Sequence, residues 1–259
     1  MTEEQIFLRL REAGIESPRF EARQLATSLS GAALEQAIAR RCTGYPLQYI
    51  LGEWDFYKET YEVSEHCLIP RADTEHLVEQ AIKMLPTGAR FLDLCTGSGC
   101  VAISTLCARP DVQAQAVDLF EETLALAGRN ALRNRVTDRL ELVRADVLSA
   151  PPESFEPGSM DAILANPPYI RSDVMPTLQR EVQHEPSAAL CGGVDGLDFY
   201  RAILDGWRGL LRPRGFFLFE IGYDQTQALT AMGAERGFSA TVWQDFGGKD
   251  RVVLLKPQA

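Results

Sequence analysis

The sequence lacks several features that define large classes of protein. It contains no run of about 18 apolar residues, so no membrane-spanning helix is expected. Its first eleven residues include four charged side chains and no apolar run longer than three, unlike the start of a secretory signal peptide. The six cysteines form no C-x-x-C pair, so we expect free thiols, a cytoplasmic location and no metal site.

Basic residues are also in the minority. Lysine and arginine number 26 against 36 aspartates and glutamates, which gives a net charge of −10. Proteins that bind DNA or RNA gain much of their affinity when lysine and arginine neutralise phosphates. The charge balance therefore disfavours a nucleic-acid partner and agrees better with a protein substrate.

The hydrophobic pattern divides the chain into three regions. Over residues 1–44 apolar side chains recur at helical steps, which predicts a small N-terminal helical domain. Residues 45–75 are rich in aromatic and β-branched side chains, including Tyr49 and Ile50, and predict strands of a β-hairpin linker. Over residues 76–259 short apolar runs alternate with helical patterns, which predicts an α/β domain with a mostly parallel sheet covered on both faces.

The elements of the third region can be predicted individually. The strands are expected at 91–94, 114–117, 140–143, 162–164, 216–221, 241–243 and 252–255. Helices are expected up to about 84 and at 101–107, 121–134, 196–211 and 225–236. Because no helix separates the last two strands, one of them should be antiparallel to the rest.

A glycine-rich loop follows the first strand of this region. Glycine allows tight turns and a close approach of the backbone to a ligand, and open α/β sheets bind ligands at the carboxyl ends of their strands. We therefore predict that this loop binds a cofactor. The residues that we assign to the cofactor here are Asp93, Cys95, Thr96, Gly97, Ser98 and Gly99.

Acidic residues follow the next two strands. Asp118 stands 21 residues after Gly97, a distance at which a carboxylate accepts hydrogen bonds from ribose hydroxyls. Asp146 and Val147 follow the third strand, where they can meet an adenine ring. Residue 102 is alanine, so the third glycine of a dinucleotide fingerprint is missing, and no P-loop G-K-[ST] occurs. A nucleoside without a polyphosphate fits these features, and we predict S-adenosylmethionine.

A second loop, after the fourth strand, consists of Asn166, Pro167, Pro168 and Tyr169. Two successive prolines fix φ and remove two N–H donors, but they leave the carbonyl acceptors. The Asn166 side-chain oxygen and a Pro167 carbonyl can accept both hydrogens of a planar nitrogen and aim its lone pair at a methyl donor. Tyr169 offers a ring for stacking. Such a transfer needs no base beforehand, so no catalytic histidine is expected.

Further motifs accompany N-P-P-Y along the chain. They are Y-P-L-Q-Y-I-L-G at 45–52, L-I-P-R-A-D-T-E at 68–75, and E-P followed by A-L at 185–190. Together they resemble the HemK/PrmC family of release-factor glutamine methyltransferases over essentially the whole chain. The resemblance implies a Rossmann-like, S-adenosylmethionine-dependent methyltransferase domain. It also implies N5-methylation of the glutamine in the Gly-Gly-Gln motif of class I peptide-chain release factors.

The same resemblance implies roles for individual residues. Residues 95–99 would surround the methionine part of the cofactor, Asp118 would hold the ribose, and Asp146 with Val147 would border the adenine. Residues 166–169 would bind the glutamine amide, with Asn166 also beside the cofactor. The N-terminal domain would help to grip the release factor.

Some positions depart from the family or remain open. Cys95 stands where the family often has glycine, and Ala72 where it often has proline. The role of Glu220, at the end of a strand beside the cleft, is open, and residues 175–183 are expected to form a mobile lid. Three polar residues either belong to the active-site wall or cap the next helix: Arg71, Asp73 and Glu75.

Two other functions remain as alternatives. A DNA or RNA amino-methyltransferase of the adenine N6 type could use the same N-P-P-Y loop, but the sequence has no dense stripe of lysine and arginine. A cofactor-binding scaffold could dock on a translation factor without chemistry. The presence of Asn166 and of the glycine loop argues against the scaffold.

Overall fold

The computed structural model describes residues 1–258, and its first part is a small helical bundle. The helices are α1 (Glu3–Glu12), α2 (Pro18–Ser28), α3 (Gly31–Cys42) and α4 (Leu47–Leu51). Helix α1 begins at a capping box, in which the Thr2 hydroxyl and the Gln5 side chain each accept the other residue's backbone N–H. Apolar residues from Ile6 to Leu47 form the core of this bundle.

Helix α4 corrects one expectation from the sequence. Tyr49 and Ile50 were expected in a strand because of their aromatic and β-branched side chains, and that expectation was wrong. Leu47 and Tyr49 are buried in a helical turn. The helix ends at Gly52, which has a φ of 77° and donates its N–H to the carbonyl of Gln48. Burial on two neighbouring cores outweighs the strand propensity.

A β-hairpin joins the bundle to the sheet. Its strands are β1 (Glu53–Phe56) and β2 (Glu59–Glu62), which pair antiparallel. Trp54 packs against the core of the helical bundle, whereas Phe56 and Tyr61 belong to the core of the large sheet. The hairpin thus contacts both parts of the chain through side chains on one face, since Phe56 is two residues after Trp54 and Tyr61 is paired with Trp54. The division into 1–44, 45–75 and 76–259 stays a prediction, and residue 259 lies outside the described residues.

A seven-stranded sheet follows. Its strands are β3 (Arg90–Leu94), β4 (Gln113–Asp118), β5 (Leu140–Arg144), β6 (Met160–Ala165), β7 (Leu211–Glu220), β8 (Phe238–Gln244) and β9 (Asp250–Pro257). They are arranged in the order β5-β4-β3-β6-β7-β9-β8. Strand β9 pairs antiparallel with β7 and β8, whereas the pairs from β5 to β7 are parallel. The mostly parallel α/β sheet with one antiparallel strand is confirmed.

Helices cover both faces of the sheet. They are α5 (Glu75–Met84), α6 (Cys100–Ala108), α7 (Glu121–Arg133), α8 (Asp198–Ala202) and α9 (Thr226–Glu235). The helix expected over 196–211 is composite, because α8 continues as a π-helix over Ile203–Trp207 and a 3₁₀ turn over Arg208–Leu210. No helix among residues 1–258 is long and apolar enough to cross a membrane.

The register of the sheet places the predicted loops next to each other. Leu94 of β3 pairs with Ala165 of β6, so Cys95 and Asn166 leave the sheet side by side. Ala165 also pairs with Phe219 of β7. The next residue of β7, Glu220, therefore lies at the same edge. This edge holds the carboxyl ends of the parallel strands, where open α/β sheets bind their ligands.

Candidate active site

A cavity of about 340 Å³ opens at the carboxyl edge of the sheet. Its volume falls within the range of about 300–1,000 Å³ that is usual for small-molecule sites. The structure brings together most of the predicted site residues in its wall: Asp93, Cys95, Thr96, Gly97, Ser98, Asp118, Asp146, Val147, Asn166 and Pro168. Gly99, Pro167 and Tyr169 are adjacent in the chain but do not belong to the described wall.

Asp93 stabilises the glycine-rich loop through two hydrogen bonds. Its Oδ2 accepts hydrogen bonds from the Thr96 hydroxyl at 2.6 Å and from the Ala102 N–H at 3.2 Å. The side chain is almost fully buried, and burial raises its pKa to about 7 despite these two donors. Because both bonds remain within the loop and the first turn of α6, Asp93 fixes the shape of the loop that borders the cavity.

The loop itself turns through left-handed backbone conformations. Cys95, Gly97 and Gly99 have φ values of 60°, 55° and 81°. Glycine adopts this region freely, but a residue with a Cβ does so at a cost. Burial raises the pKa of the Cys95 thiol well above its usual value, so the thiol stays protonated at the cavity wall.

Asp118 is the last residue of β4. Its Oδ2 accepts the Gly97 N–H at 3.0 Å, and its Oδ1 accepts the Phe120 N–H at 3.3 Å. Burial raises its pKa, and these backbone donors oppose the rise. A carboxylate has about four lone-pair sites, so two bonds leave acceptor capacity for a ligand hydroxyl.

Asp146 and Val147 form the next part of the wall, after β5. The Asp146 carboxylate accepts the Leu148 N–H at 2.9 Å. Val147 is 4% exposed, and its carbonyl accepts the indole N–H of Trp207 at 3.1 Å. The two residues thus present a polar and an apolar group side by side on a rigid turn.

The amide of Asn166 has a defined orientation. Its Nδ2 donates to the hydroxyl of Thr74 at 3.1 Å. With Nδ2 engaged, Oδ1 is the end of the amide that is available to accept from a ligand. Thr74 is 2% exposed and also contributes to the cavity wall. It was not among the predicted site residues, although it belongs to the L-I-P-R-A-D-T-E motif.

Tyr169 occupies a different environment. It packs against the apolar core on one face of the sheet, and its carbonyl accepts the Gln225 side-chain amide at 3.0 Å. Burial raises the pKa of the phenol above its usual range, and the nearby Glu220 adds to the rise. The stacking of a planar substrate group on this ring stays a prediction.

The three polar residues around the start of α5 have different partners. Arg71 lines the cavity and forms an ion pair with Glu185, a buried residue that also accepts the Ile69 N–H at 3.0 Å. Asp73 pairs with Arg251 at 3.2 Å. Glu75 accepts the Tyr57 N–H of the hairpin at 3.0 Å. Only Arg71 of the three therefore belongs to the described wall, and Glu75 ties the hairpin to α5.

The segment after N-P-P-Y closes the other side of the cavity. Two 3₁₀ turns, Met175–Thr177 and Val182–His184, lie where a mobile lid was expected. Arg180 donates to the carbonyl of Cys42 at 3.3 Å, so this segment contacts the helical bundle. The mobility of the segment stays a prediction.

Sequence reasoning missed several wall residues because they are far from both loops in the chain. Two groups share this property, one in the linker and one in the segment after the N-P-P-Y loop. They are His66, Cys67, Leu68, Pro70, Pro186, Ala188, Ala189 and Cys191. The L-I-P-R and E-P motifs were the available signals. Within residues 1–258 no three histidine, cysteine or carboxylate side chains are grouped as metal ligands.

Comparisons with known proteins agree with this geometry. A family model described as "Methyltransferase small domain" matches residues 73–190. The chain is also similar in fold to a methyltransferase from Pyrococcus furiosus, with a TM-score of 0.59, 18% identity and coverage of 77% of this chain and 89% of that one. At that identity the similarity concerns the fold alone.

Sequence relatives are more specific. The release factor glutamine methyltransferase of Moorella thermoacetica is 40% identical over 95% of this chain and 94% of its own. The protein of the same name from Nitratidesulfovibrio vulgaris is 40% identical over 85% of this chain and 76% of its own. Because these matches extend over most of both chains and include the loops that surround the cavity, the chain belongs to the family of release factor glutamine methyltransferases.

Proposed function

We propose that the protein transfers a methyl group from S-adenosylmethionine to N5 of the glutamine in the Gly-Gly-Gln motif of class I release factors. The family and fold imply this donor. The observation that carries the proposal is the amide of Asn166 at the cavity wall. Its Nδ2 is held by Thr74, and its oxygen is available as an acceptor.

The cavity fits such a donor. Asp118 and Asp146 place two carboxylates on its wall, which suits a cationic ligand. Ser98 lines it with a hydroxyl oxygen that is buried and, within the described residues, lacks a hydrogen-bond partner. A polar ligand group would satisfy this atom. When bound, the cofactor supplies a methyl group on a positively charged sulfur.

Most of the predicted cofactor residues then have a role that their positions support. Residues 95–99 would surround the amino-acid part of the cofactor, including Gly99, the N-cap residue of α6. Asp118 would accept from the ribose hydroxyls through its remaining lone pairs. Asp146 and Val147 would border the adenine with one polar and one apolar contact.

The N-P-P-Y loop would hold the substrate. A primary amide nitrogen carries two hydrogens and a delocalised lone pair, so it is a weak nucleophile. Asn166 Oδ1 and the Pro167 carbonyl would accept the two hydrogens, and Pro168 forms the wall beside them. Both acceptors would stabilise positive charge that develops on nitrogen as the C–N bond forms and the bond from the methyl carbon to the donor sulfur breaks. The nitrogen would then lose one proton to solvent water, so the loop requires no strong base.

A protein substrate also agrees with the rest of the chain. The net charge of −10 disfavours a phosphate backbone as partner. The N-terminal bundle, residues 1–44, contacts the segment that borders the cavity and would help to grip the release factor. We also propose that the protein is cytoplasmic and that the reaction requires no metal ion.

A methyl-transfer assay tests the proposal. Purified protein with a labelled donor should label a release factor on the glutamine of Gly-Gly-Gln, as located by mass mapping, and should not label DNA or ribosomal RNA. Label on nucleic acid alone would support the amino-methyltransferase alternative. Donor binding without any transfer would support the scaffold.

The Asn166→Ala variant tests the role of the loop. It should lose methyl transfer by about 100-fold or more because one substrate acceptor is missing, while donor binding persists. The matched control is Asn134→Ala at the end of α7, which is not part of the described wall. Unchanged transfer in Asn166→Ala would contradict the assignment.

A further inference from the structure

Glu220 is a buried carboxyl group to which the reaction described so far gives no role. It is the last residue of β7 and is 2% exposed. Among the described residues its Oε2 has no hydrogen-bond partner. A buried, incompletely paired carboxyl is costly, so a native structure that keeps one requires a physical explanation.

The register of the sheet places Glu220 beside the catalytic loop. Ala165 pairs with Phe219, so Asn166 and Glu220 follow at the same level on neighbouring strands. Thr74 is hydrogen-bonded to Asn166 and is near enough to the Glu220 carboxyl to affect its pKa. Its hydroxyl oxygen accepts Asn166 Nδ2 at 3.1 Å. Burial raises the pKa of Glu220 to about 7, and the Thr74 hydroxyl opposes the rise as a hydrogen-bond donor to the carboxylate.

A hydroxyl has only one hydrogen, and this fact connects the three side chains. When Thr74 donates its hydrogen to Glu220, its oxygen can only accept from Asn166. The Nδ2 end of Asn166 must then face Thr74, and Oδ1 must face away from it. If the hydrogen were free to point at Asn166, the amide could turn over and present N–H groups to a substrate that itself donates N–H.

We propose that Glu220 is a positioning residue that acts through Thr74 to keep the amide oxygen of Asn166 directed at the substrate. The inference rests on the proposed function, because it requires that Asn166 accepts a hydrogen bond from the substrate nitrogen. Glu220 itself is not part of the described cavity wall. Its carboxylate form has no hydrogen to donate, so this is the form that requires Thr74 to be the donor.

Other charged and titratable groups also face Glu220. Arg251 on β9 and Arg71 in the linker favour its carboxylate form, whereas Asp73 disfavours it. Three further titratable groups are close enough to interact with it: Tyr169, Tyr200 and Cys100. The pKa of Glu220 lies at about 7 with all of these present. Above that pH Glu220 is a carboxylate and can only accept from Thr74, whereas below it the carboxyl carries a hydrogen, can donate to the Thr74 oxygen and no longer fixes the direction of the Thr74 hydrogen.

Substitutions at Thr74 distinguish the effect of its hydroxyl hydrogen bonds from the effect of packing. Thr74→Val keeps the shape and removes the hydroxyl, so kcat should fall about tenfold or more while the KM for the donor changes little. Thr74→Ser restores the hydroxyl and should recover most of the kcat. The control is Thr105→Val on α6, a buried threonine whose hydroxyl has no partner among the described residues. It should leave kcat unchanged.

Glu220→Gln tests the charge. In the wild type kcat should rise with pH through about 7 as Glu220 loses its proton, and the variant should lose this dependence and have a lower, flat kcat. A normal kcat in Thr74→Val would overturn the inference. So would a kcat in Glu220→Gln that still falls below about pH 7 as it does in the wild type. A wild-type protein that fails to methylate a release factor would instead overturn the proposed function, so the two failures are distinguishable.

Discussion

Arg41 of α3 and Glu181 of the segment that follows the N-P-P-Y loop form an ion pair of 3.1 Å. Arg41 also pairs with Glu21 of α2, and its side chain is 5% exposed. The helical bundle thus contacts the segment that follows the N-P-P-Y loop through the buried guanidinium group of Arg41. A buried charge that loses its partner is strongly destabilising, whereas a pair with an exposed member contributes little. The two partners of Arg41 should therefore differ in importance.

We expect Arg41→Met to lower the free energy of unfolding by about 3 kcal/mol, because it leaves the buried carboxylate of Glu21 unpaired. Glu181→Gln should cost less than about 1 kcal/mol, because the Glu181 side chain is 36% exposed. Urea denaturation measures both. A double variant, Glu21→Leu with Arg41→Met, should be more stable than Arg41→Met alone. Equal losses for the two single variants would contradict this ranking.

The two carboxyl groups with raised pKa values should affect stability in a direction opposite to that of most acids. The pKa values of Asp93 and Glu220 are about 7 in the folded protein, because both are buried. An unfolded chain releases these protons at about pH 4 to 4.5, so the folded state binds more protons in between. The contribution of each group to stability is therefore fully present below about pH 4 and is lost as pH rises to about 7.

Glu220→Gln removes one of these groups. The free energy of unfolding of the variant, relative to that of the wild type, should rise between about pH 5 and pH 8 by about 3 kcal/mol. The difference between the two proteins is measured by urea denaturation at each pH, which cancels the effects of other titrating groups. A difference that does not depend on pH would mean that Glu220 titrates normally in the folded state.

The sequence predicted what depends on local patterns, and it missed what depends on packing. The parallel strands were predictable because both of their faces are buried, as for Leu92 and Ile163. Helix α4 was not, since its residues pack into two different cores, Leu47 into one and Tyr49 into the other. The link from Glu220 through Thr74 to Asn166 joins three distant parts of the chain. No spacing rule expresses such contacts, although each residue lies in a recognisable motif or at a strand end.

Cys95 allows a direct measurement of backbone strain in the cofactor loop. Its φ is 60°, a conformation that costs a residue with a Cβ about 1–2 kcal/mol. We therefore expect Cys95→Gly to be more stable than Cys95→Ala by about 1 kcal/mol, the reverse of the usual order. Both variants lose the thiol, so their difference isolates the backbone. If Cys95→Ala proves the more stable in thermal unfolding, the loop is not strained at this position.

Gly196 holds the N-P-P-Y loop in place through close packing. A Cβ at this position would lie 2.3 Å from the carbonyl oxygen of Tyr169, so Gly196→Ala must displace the loop. We expect kcat to fall about tenfold or more while donor affinity is kept, because a shift of about 1 Å in a positioning group is costly. The matched control is Gly237→Ala, since Gly237 has a similar φ of 80° but no atom within 4 Å of the added Cβ. Both variants bear the same backbone strain, so a similar loss of kcat in the two would attribute the effect to stability and not to displacement of the loop.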